Sequence, residues 1–524
     1  MPERTPKSIF MAIILWLVII GGIAVSIRYF ILPKYKEKKQ ESLALQTGST
    51  GKYKHTVRIA ADSFSGYCFL RSPEMEKRLS QQGIKLLVID DGADYKKRIK
   101  ALSDGEIELA AFPINSFIQC GAQLGEFPAS IVYIIDETKG ADAIIAHKNS
   151  IANINDLNST DARIVLTPDS PSEFLARVMI ASFDLPNLSK DNWMIKADGS
   201  SDVYKKFRGE SNKPLFAYAM WEPDVSKALK EQDSYVLIDS SKVQGYIVDS
   251  LVVQREFLIE NYDVVKSVIE SYARTVYSNQ HNMIDVIISD SDLIGDSINK
   301  TEAQNMVNGI MWKNTLENYA HFGVQEGQQS LENIEDIIIK ITDVLVKTGA
   351  LESNPIEGKI NSLYFNKFVE DMKKNNFHPG REINVVSDME LGKNNEQIRG
   401  SQKLNKLTKE QWDSLAVVGS LRIAPISFGR GTSRINVQSQ HDLQSLANTL
   451  NSWPQYYLTV IGRARPGGDE KSLLELAKSR ADATVAELLK NGVPTERIRS
   501  LAEIASTDSV SSQSVAFIVG QVAY

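Results

Sequence analysis

Several runs of polar residues in this chain have the types and spacing to do chemistry. Asp62-Ser63-Phe64-Ser65-Gly66 and Pro113-Ile114-Asn115-Ser116 each follow an apolar stretch directly and are rich in hydroxyl and amide groups. Thr167-Pro168-Asp169-Ser170-Pro171-Ser172 is a third such run, and Trp221-Glu222-Pro223-Asp224 sets an aromatic ring beside a carboxylate. Hydroxyls and backbone amides at a helix start supply donors without a full countercharge, which suits a small oxyanion. The same residue types also cap helices that bind nothing, so both readings stand for each position. Far along the chain, Arg463, Arg465, Asp469 and Arg480 place cations and an acid around the turn Pro466-Gly467-Gly468.

Other chemistries lack their residues. The six histidines, His55, His147, His281, His321, His378 and His441, have no clustered or i, i+4 spacing, so no metal site is expected. No Gly-X-Ser-X-Gly elbow or phosphate-binding loop of the Walker type occurs, and neither an enzyme nor a cofactor is expected. The two cysteines, Cys68 and Cys120, exclude a disulfide scaffold and leave open a single bridge or two buried thiols. A net charge of -6 with no basic face argues against nucleic acid as a partner.

The elements that must position these groups are legible as a pattern. Val57-Arg58-Ile59-Ala60-Ala61, Lys85-Leu86-Leu87-Val88-Ile89, Leu109-Ala110-Ala111-Phe112 and Ile131-Val132-Tyr133-Ile134-Ile135 are apolar runs of strand length separated by helix-like stretches. That alternation predicts a parallel α/β sheet, whose ligands sit at the carboxyl ends of the strands. Ser330 to Gly349 carries an apolar stripe through Leu331, Ile334, Ile337, Ile338, Ile341 and Leu345, as a packing helix does.

The 524 residues exceed what one core serves, so several units are expected. The run Ile9 to Ile27 has no charge and is long enough to span a bilayer, so 1–33 reads as an uncleaved transmembrane anchor and 34–55 as a polar stalk. Basic residues flank both ends of the run, with more after it, which alone would put the later chain in the cytoplasm. A polar stretch over 375–409 reads as a linker in which Ile383-Asn384-Val385-Val386 is a candidate strand.

Gly140-Ala141-Asp142-Ala143-Ile144-Ile145-Ala146, Ile154-Asn155-Asp156-Leu157, the Val165 to Leu175 segment, Trp221-Glu222-Pro223-Asp224 and Leu251 to Leu258 occur in a fixed order. In that order the region from Thr56 to Phe322 resembles ABC-transporter substrate-binding proteins of the taurine, alkanesulfonate and nitrate type. The resemblance implies a two-lobed periplasmic-binding-protein-like domain over 56–374 that closes on a small solute. By position it implies ligand contacts from Ser63 and Ser65, from Asn115 and Ser116, from Thr167, Ser170 and Ser172, and from Trp221 and Glu222.

Val460-Ile461-Gly462-Arg463-Ala464-Arg465-Pro466-Gly467-Gly468, then Leu476-Ala477-Lys478-Ser479-Arg480-Ala481, resembles the core of an OmpA-like peptidoglycan-binding domain, here over 410–524. A strand at Leu421 to Gly429, a helix at His441 to Leu450, a strand at Tyr457 to Gly462, a helix at Leu473 to Asn491 and a strand at Val515 to Val519 give it a β-α-β-α-β order. In that family a carboxylate after the second strand and an arginine on the next helix clamp a diaminopimelate group. Arg480 stands at the arginine position. Arg465 stands where the acid is expected, Arg463-Ala464 where His-Thr is usual, and Ser511-Ser512-Gln513-Ser514 where Asn-Arg-Arg is usual, which leaves Asp469 as the acid within reach.

Together these expectations describe an α/β chain with an N-terminal transmembrane helix, a two-lobed binding domain and a C-terminal α+β OmpA-like domain. It would be anchored in a bacterial inner membrane with its bulk in the periplasm. Its partners would be a small anion or sulfonate-like solute, or an amino-organic one, with peptidoglycan, the membrane and other membrane proteins. Two other roles fit the same residues: a structural component of an envelope complex that binds no solute, or solute import with a separate permease and ATPase.

Overall fold

The computed structural model describes residues 53–209, 215–324, 332–379, 404–453, 455–464, 469–504 and 514–522. The anchor over 1–33, nearly all of the stalk, most of the linker with its candidate strand, Arg465 and Ser511 to Gln513 lie outside the described residues. Among the described residues no helix is long and apolar enough to cross a membrane.

The chain divides into a small unit, Tyr53–Thr56 with Ser80–Lys85, and a large unit holding the rest of the described chain. In the small one, the amides of Lys54 and His55 both donate to Gly83 O, at 2.7 and 3.3 Å, and Gly83 turns the chain at a φ of 75°.

Three sheets organise the chain. The first has the strand order β11-β4-β10-β3-β1-β2 and the second β7-β6-β8-β5-β9. The first uses β1 (His55–Ala60), β2 (Ile84–Ile89), β3 (Leu109–Pro113), β4 (Ala129–Thr138), β10 (Val248–Gln254) and β11 (Ile310–Trp312). The second uses β5 (Asp142–His147), β6 (Arg163–Leu166), β7 (Met194–Lys196), β8 (Phe216–Trp221) and β9 (Ser234–Asp239). The chain therefore leaves the first sheet after β4 and returns to it at β10, and these two crossovers join two lobes. The four strands read from the sequence are β1 to β4, but the expectation of a parallel sheet needs correction. β1 and β3 are parallel, whereas β10 runs antiparallel to both β3 and β4. The reason is topological: β10 returns from the second lobe and enters from the end opposite to the one reached by a helical crossover.

Both sheets bury their apolar faces. Ala143, Ile145, Val165, Val203, Phe207, Tyr218 and Met220 form the second lobe's core. The helix Ile334–Lys347 buries Ile334, Ile337, Ile338, Ile341 and Leu345. It packs on the helix Ile114–Leu124 of the first lobe and on Pro171–Ser182 of the second, bracing both.

The third sheet, β12-β15-β13-β14, belongs to the C-terminal domain and comprises β12 (Ala416–Ser420), β13 (Tyr457–Ala464), β14 (Ile498–Ile504) and β15 (Val515–Gln521). The helices Val437–Asn451 and Glu470–Lys490 accompany it. Gly462 is needed where the longer helix crosses β13, because a Cβ there would collide with the carbonyl of Ala477. The strand expected at Leu421 to Gly429 lies earlier, at Ala416–Ser420. Pro425 has no amide hydrogen for a ladder, and Leu421 bridges Phe183 of the second lobe. The missed strand, β14, alternates buried and exposed positions only weakly.

That Phe183 contact is part of a wider seam. Asp184 N donates to Ser420 O at 2.8 Å, Arg422 N to Ser182 O at 2.7 Å and Gln244 N to Ser452 O at 2.7 Å. The buried rings of Phe183 and Trp453 stack at 5.5 Å. Gly419 lies so close that a Cβ would stand 2.7 Å from the Phe183 ring. The C-terminal domain thus rests on the second lobe and on the crossover leading to β10.

Candidate functional site

The two crossovers set acidic side chains between the lobes. Asp136 lies near the end of β4, Asp142 opens β5 and Asp249 is the second residue of β10. All three are buried. Asp136 and Asp249 are directly opposite one another on antiparallel strands, a placement in which like charges repel. Tyr67 donates to Asp249 Oδ1 at 2.5 Å, and Ser172 to Asp142 Oδ1 at 3.2 Å. Burial, then the neighbouring Asp249, pushes Asp142 up to about 7. The same two causes push Asp136 well above the carboxylate range, and burial raises Asp249 against the Tyr67 hydroxyl. With a proton on one of them, Asp136 and Asp249 can share it. Gly66 permits this packing, since a Cβ there would collide with the Asp136 carboxylate and the Phe64 ring.

A cavity of about 10 Å³, room for about one water, lies among Asp62, Phe64, Tyr67, Tyr95, Asp142, Pro171, Trp221 and Asp249. Behind it Arg98 is buried and well supplied: it donates to Asp62 at 2.8 Å, to Asp91 at 2.7 Å and to Ala111 O at 2.6 Å. Lys313 pairs with Glu137 at 2.8 Å. Burial alone would raise Glu137, but this ammonium overrides it and holds the carboxyl down at about 2.

The residues expected to hold a ligand are placed unequally. Trp221 lines the cavity and Ser172 bonds one of its acids. Ser63 is exposed, and Ser65 is buried with its hydroxyl on Met306 Sδ at 3.4 Å. Asn115 donates to Ser116 Oγ at 3.2 Å and to Ser170 O at 3.3 Å, which joins the first lobe's helix start to the second's. Ser170 caps the helix Pro171–Ser182: it accepts from Glu173 N and donates to Thr167 O at 2.7 Å. The Thr167 hydroxyl is buried and has no partner. Glu222 turns onto its own short helix, accepting from Ser226 N at 3.0 Å and Ser226 Oγ at 2.7 Å, and burial pushes it up to about 7. Cys68 and Cys120 are both free and buried.

Asp136, Asp142, Asp249 and the rings of Phe64, Tyr67 and Tyr95 escaped the sequence reading of the site. The signal was present: each acid interrupts an apolar strand, as in Ile134-Ile135-Asp136 and Val248-Asp249-Ser250-Leu251. A charge in a strand buried on both faces requires a partner or a purpose.

In the C-terminal domain, Asp469 caps the helix Glu470–Lys490 by accepting from Ser472. Arg480 Nε donates to Thr432 O at 3.0 Å, and its guanidinium lies 5.1 Å over the Phe428 ring. Arg463 pairs with Glu503 at 2.8 Å.

The peptidoglycan-associated lipoprotein of Brucella melitensis is 36% identical over 77 residues, which are 15% of this chain and 46% of that protein. The corresponding lipoprotein of Agrobacterium fabrum is 34% identical over 77 residues, 15% of this chain and 44% of that protein. The chain thus spans about half the length of the curated relatives it matches. Among solved structures, the periplasmic aliphatic sulphonate binding protein SsuA from Escherichia coli is similar at 15% identity and a TM-score of 0.44, over 59% of this chain and 92% of that one. The periplasmic nitrate-binding protein NrtA from Synechocystis PCC 6803 is similar at 12% identity and a TM-score of 0.39, over 59% of this chain and 98% of that one. Residues 427–516 match the OmpA family, and the chain carries an OmpA domain at its C-terminus.

Proposed function

We propose that this chain is a receptor of the bacterial envelope, in which residues 56–374 close on a small solute and the domain over 410–524 holds or reports position relative to the cell wall. Residues 1–33 anchor it in the inner membrane, 34–55 and 375–409 act as stalk and linker, and the bulk of the chain is periplasmic. The observation that carries the reading is the convergence, at two lobe crossovers, of buried polar side chains from both sheets around one small cavity. The OmpA match and the name of the Brucella relative support the envelope placement. Ligand chemistry at this level is either a small oxyanion or an amino-organic solute.

A second reading has its own support. The cavity admits only about one water, and the helix Ile334–Lys347 braces both lobes, as in a structural module that has lost its ligand. Melting temperature across taurine, alkanesulfonates, phosphate, nitrate and thiamine precursors separates the two. A solute at 100 times its Kd stabilises by about 2.7 kcal/mol, a shift of several degrees, whereas a structural module shifts with none. A topology reporter fused after Tyr524 tests the placement: a cytoplasmic signal would remove the wall and the periplasmic solute together.

A further inference from the structure

The donors that an oxyanion needs are largely spent in this cleft. Ser65, Ser170 and Ser172 each donate to a protein acceptor, and the Asn115 amide donates to Ser116 and Ser170. The acceptors are not spent. Asn115 Oδ1, just outside the cavity lining, is fully buried without a hydrogen-bond partner, the Asp136 carboxyl has only Asp249 beside it with a proton to share, and the Thr167 hydroxyl can serve in either sense. Among the described residues no lysine or arginine forms a salt bridge with Asp136, Asp142 or Asp249, because Arg98 is held by Asp62 and Asp91 and Lys313 by Glu137. An anion here would face the carboxyls of Asp142 and Asp249, which line the cavity and repel it once they are ionised. A cation would favour the ionised forms of Asp142 and Asp249 and meet the rings of Phe64, Tyr67, Tyr95 and Trp221 in the cavity lining, since π systems attract positive charge.

Resting on the receptor reading, we propose that the cleft takes a small organic cation, its ammonium neutralised by Asp142 and Asp249 and walled by the rings of Phe64, Tyr95 and Trp221. Asp136 stands opposite Asp249 and can hold the proton the two share, which leaves Asp249 charged toward the ligand. Seating such a ligand requires the lobes to part, since the cavity as it stands admits about one water.

Calorimetric titration of the full-length protein in detergent at pH 7.5 tests this with two arms. The cationic arm is tetramethylammonium, methylammonium and putrescine; the anionic arm is ethanesulfonate and nitrate. At least one amine is expected to bind saturably and neither anion to do so. Asp249→Asn is expected to weaken the amine about ten-fold or more, and because it removes one of two opposed charges it should fold. Trp221→Leu, which leaves every carboxylate in place, should weaken it by several-fold through the lost ring. Saturable binding of an anion with none of the amines overturns the cation assignment and leaves the receptor reading standing. Silence in both arms overturns the receptor reading and the cation assignment with it. Amine binding unchanged in both variants places the amine elsewhere and overturns the assignment.

Discussion

The cleft and the C-terminal domain both bury charge, and they treat it in opposite ways. In the C-terminal domain Arg497 is almost fully buried, yet it donates to three carbonyls, those of Leu450, Trp453 and Tyr456, and so ties the end of the helix Val437–Asn451 to the start of β13. Burial pushes it down to about 10, still cationic at neutral pH. In the cleft, Asp136 and Asp249 face each other across two strands, and among the described residues neither forms a salt bridge, Lys313 and Arg98 acting on them only from their own pairings with Glu137 and with Asp62 and Asp91. A buried charge whose hydrogen bonds are all met is architecture; two buried acids that can share only one proton hold a strain that folding alone does not explain. Between the lobes that strain is where a ligand would act.

The largest break in this comparison is Arg497→Met. The side chain's volume is kept but three buried carbonyls lose their donor, at a cost of about 3 kcal/mol or more. Urea unfolding of the full chain should show the C-terminal transition at much lower denaturant. A midpoint unchanged from wild type would mean that water takes over the three carbonyls and that the contrast with the cleft is false.

Next in size is the pH response of the cleft. Asp142 has a folded-state value of about 7, against about 3.9 in an unfolded chain. Between these values the folded protein holds a proton that the unfolded chain has released, so stability falls as pH rises from about 4 to 7 and levels off above. The effect is on the order of a few kcal/mol. Asp142→Asn should therefore melt higher than wild type at pH 8 and flatten the profile, while the two proteins converge near pH 4. Parallel profiles from pH 4 to 8 would show that Asp142 ionises freely and carries no strain.

How much of this the residues declare beforehand depends on what each one must satisfy. Strands β1 to β4 and the helix Ile334–Lys347 follow from apolar periodicity, because burial of one face leaves a repeat in the sequence. The antiparallel insertion of β10 leaves none, since it depends on where a chain returns after more than a hundred residues. Ser63, Ser65 and Ser170 attract attention as ligand groups by type alone. Yet a hydroxyl's role is fixed by the nearest acceptor, and for Ser65 that acceptor is Met306, far away in sequence. Asp136 and Asp249 are the reverse case: their meaning lies in a cross-strand register that only pairing reveals. Arg497 is likewise silent, an arginine before a strand until the helix end closes over it.

Smaller effects separate capping from binding in the C-terminal domain. Asp469 accepts from the amide of Ser472 at the start of a long helix, and Asp469→Ala should cost about 1 kcal/mol in that domain's stability. Asp469→Ser or Asn, which can still cap, should restore it. If Asp469 also meets the wall, retention on purified peptidoglycan will fall in Asp469→Asn while stability holds. Equal retention would leave the cap as its whole role.

The smallest expected change is the most discriminating one. Arg480 is held by one carbonyl and one ring, Thr432 O at 3.0 Å and Phe428 at 5.1 Å, on an exposed face. Losing both in Arg480→Ala should cost about 0.5 to 1 kcal/mol, because an exposed cation–π contact is weak. A clamp on a carboxylate behaves differently: removing its one cation abolishes a charge-assisted pair and should lower retention on peptidoglycan about ten-fold or more. Arg480→Lys keeps the charge but loses the fork, so it distinguishes bidentate recognition from simple attraction. Should both variants hold the wall as wild type does, Arg480 joins Arg497 as architecture, and among the described residues the cleft stands apart from the C-terminal domain in burying acids that no salt bridge offsets.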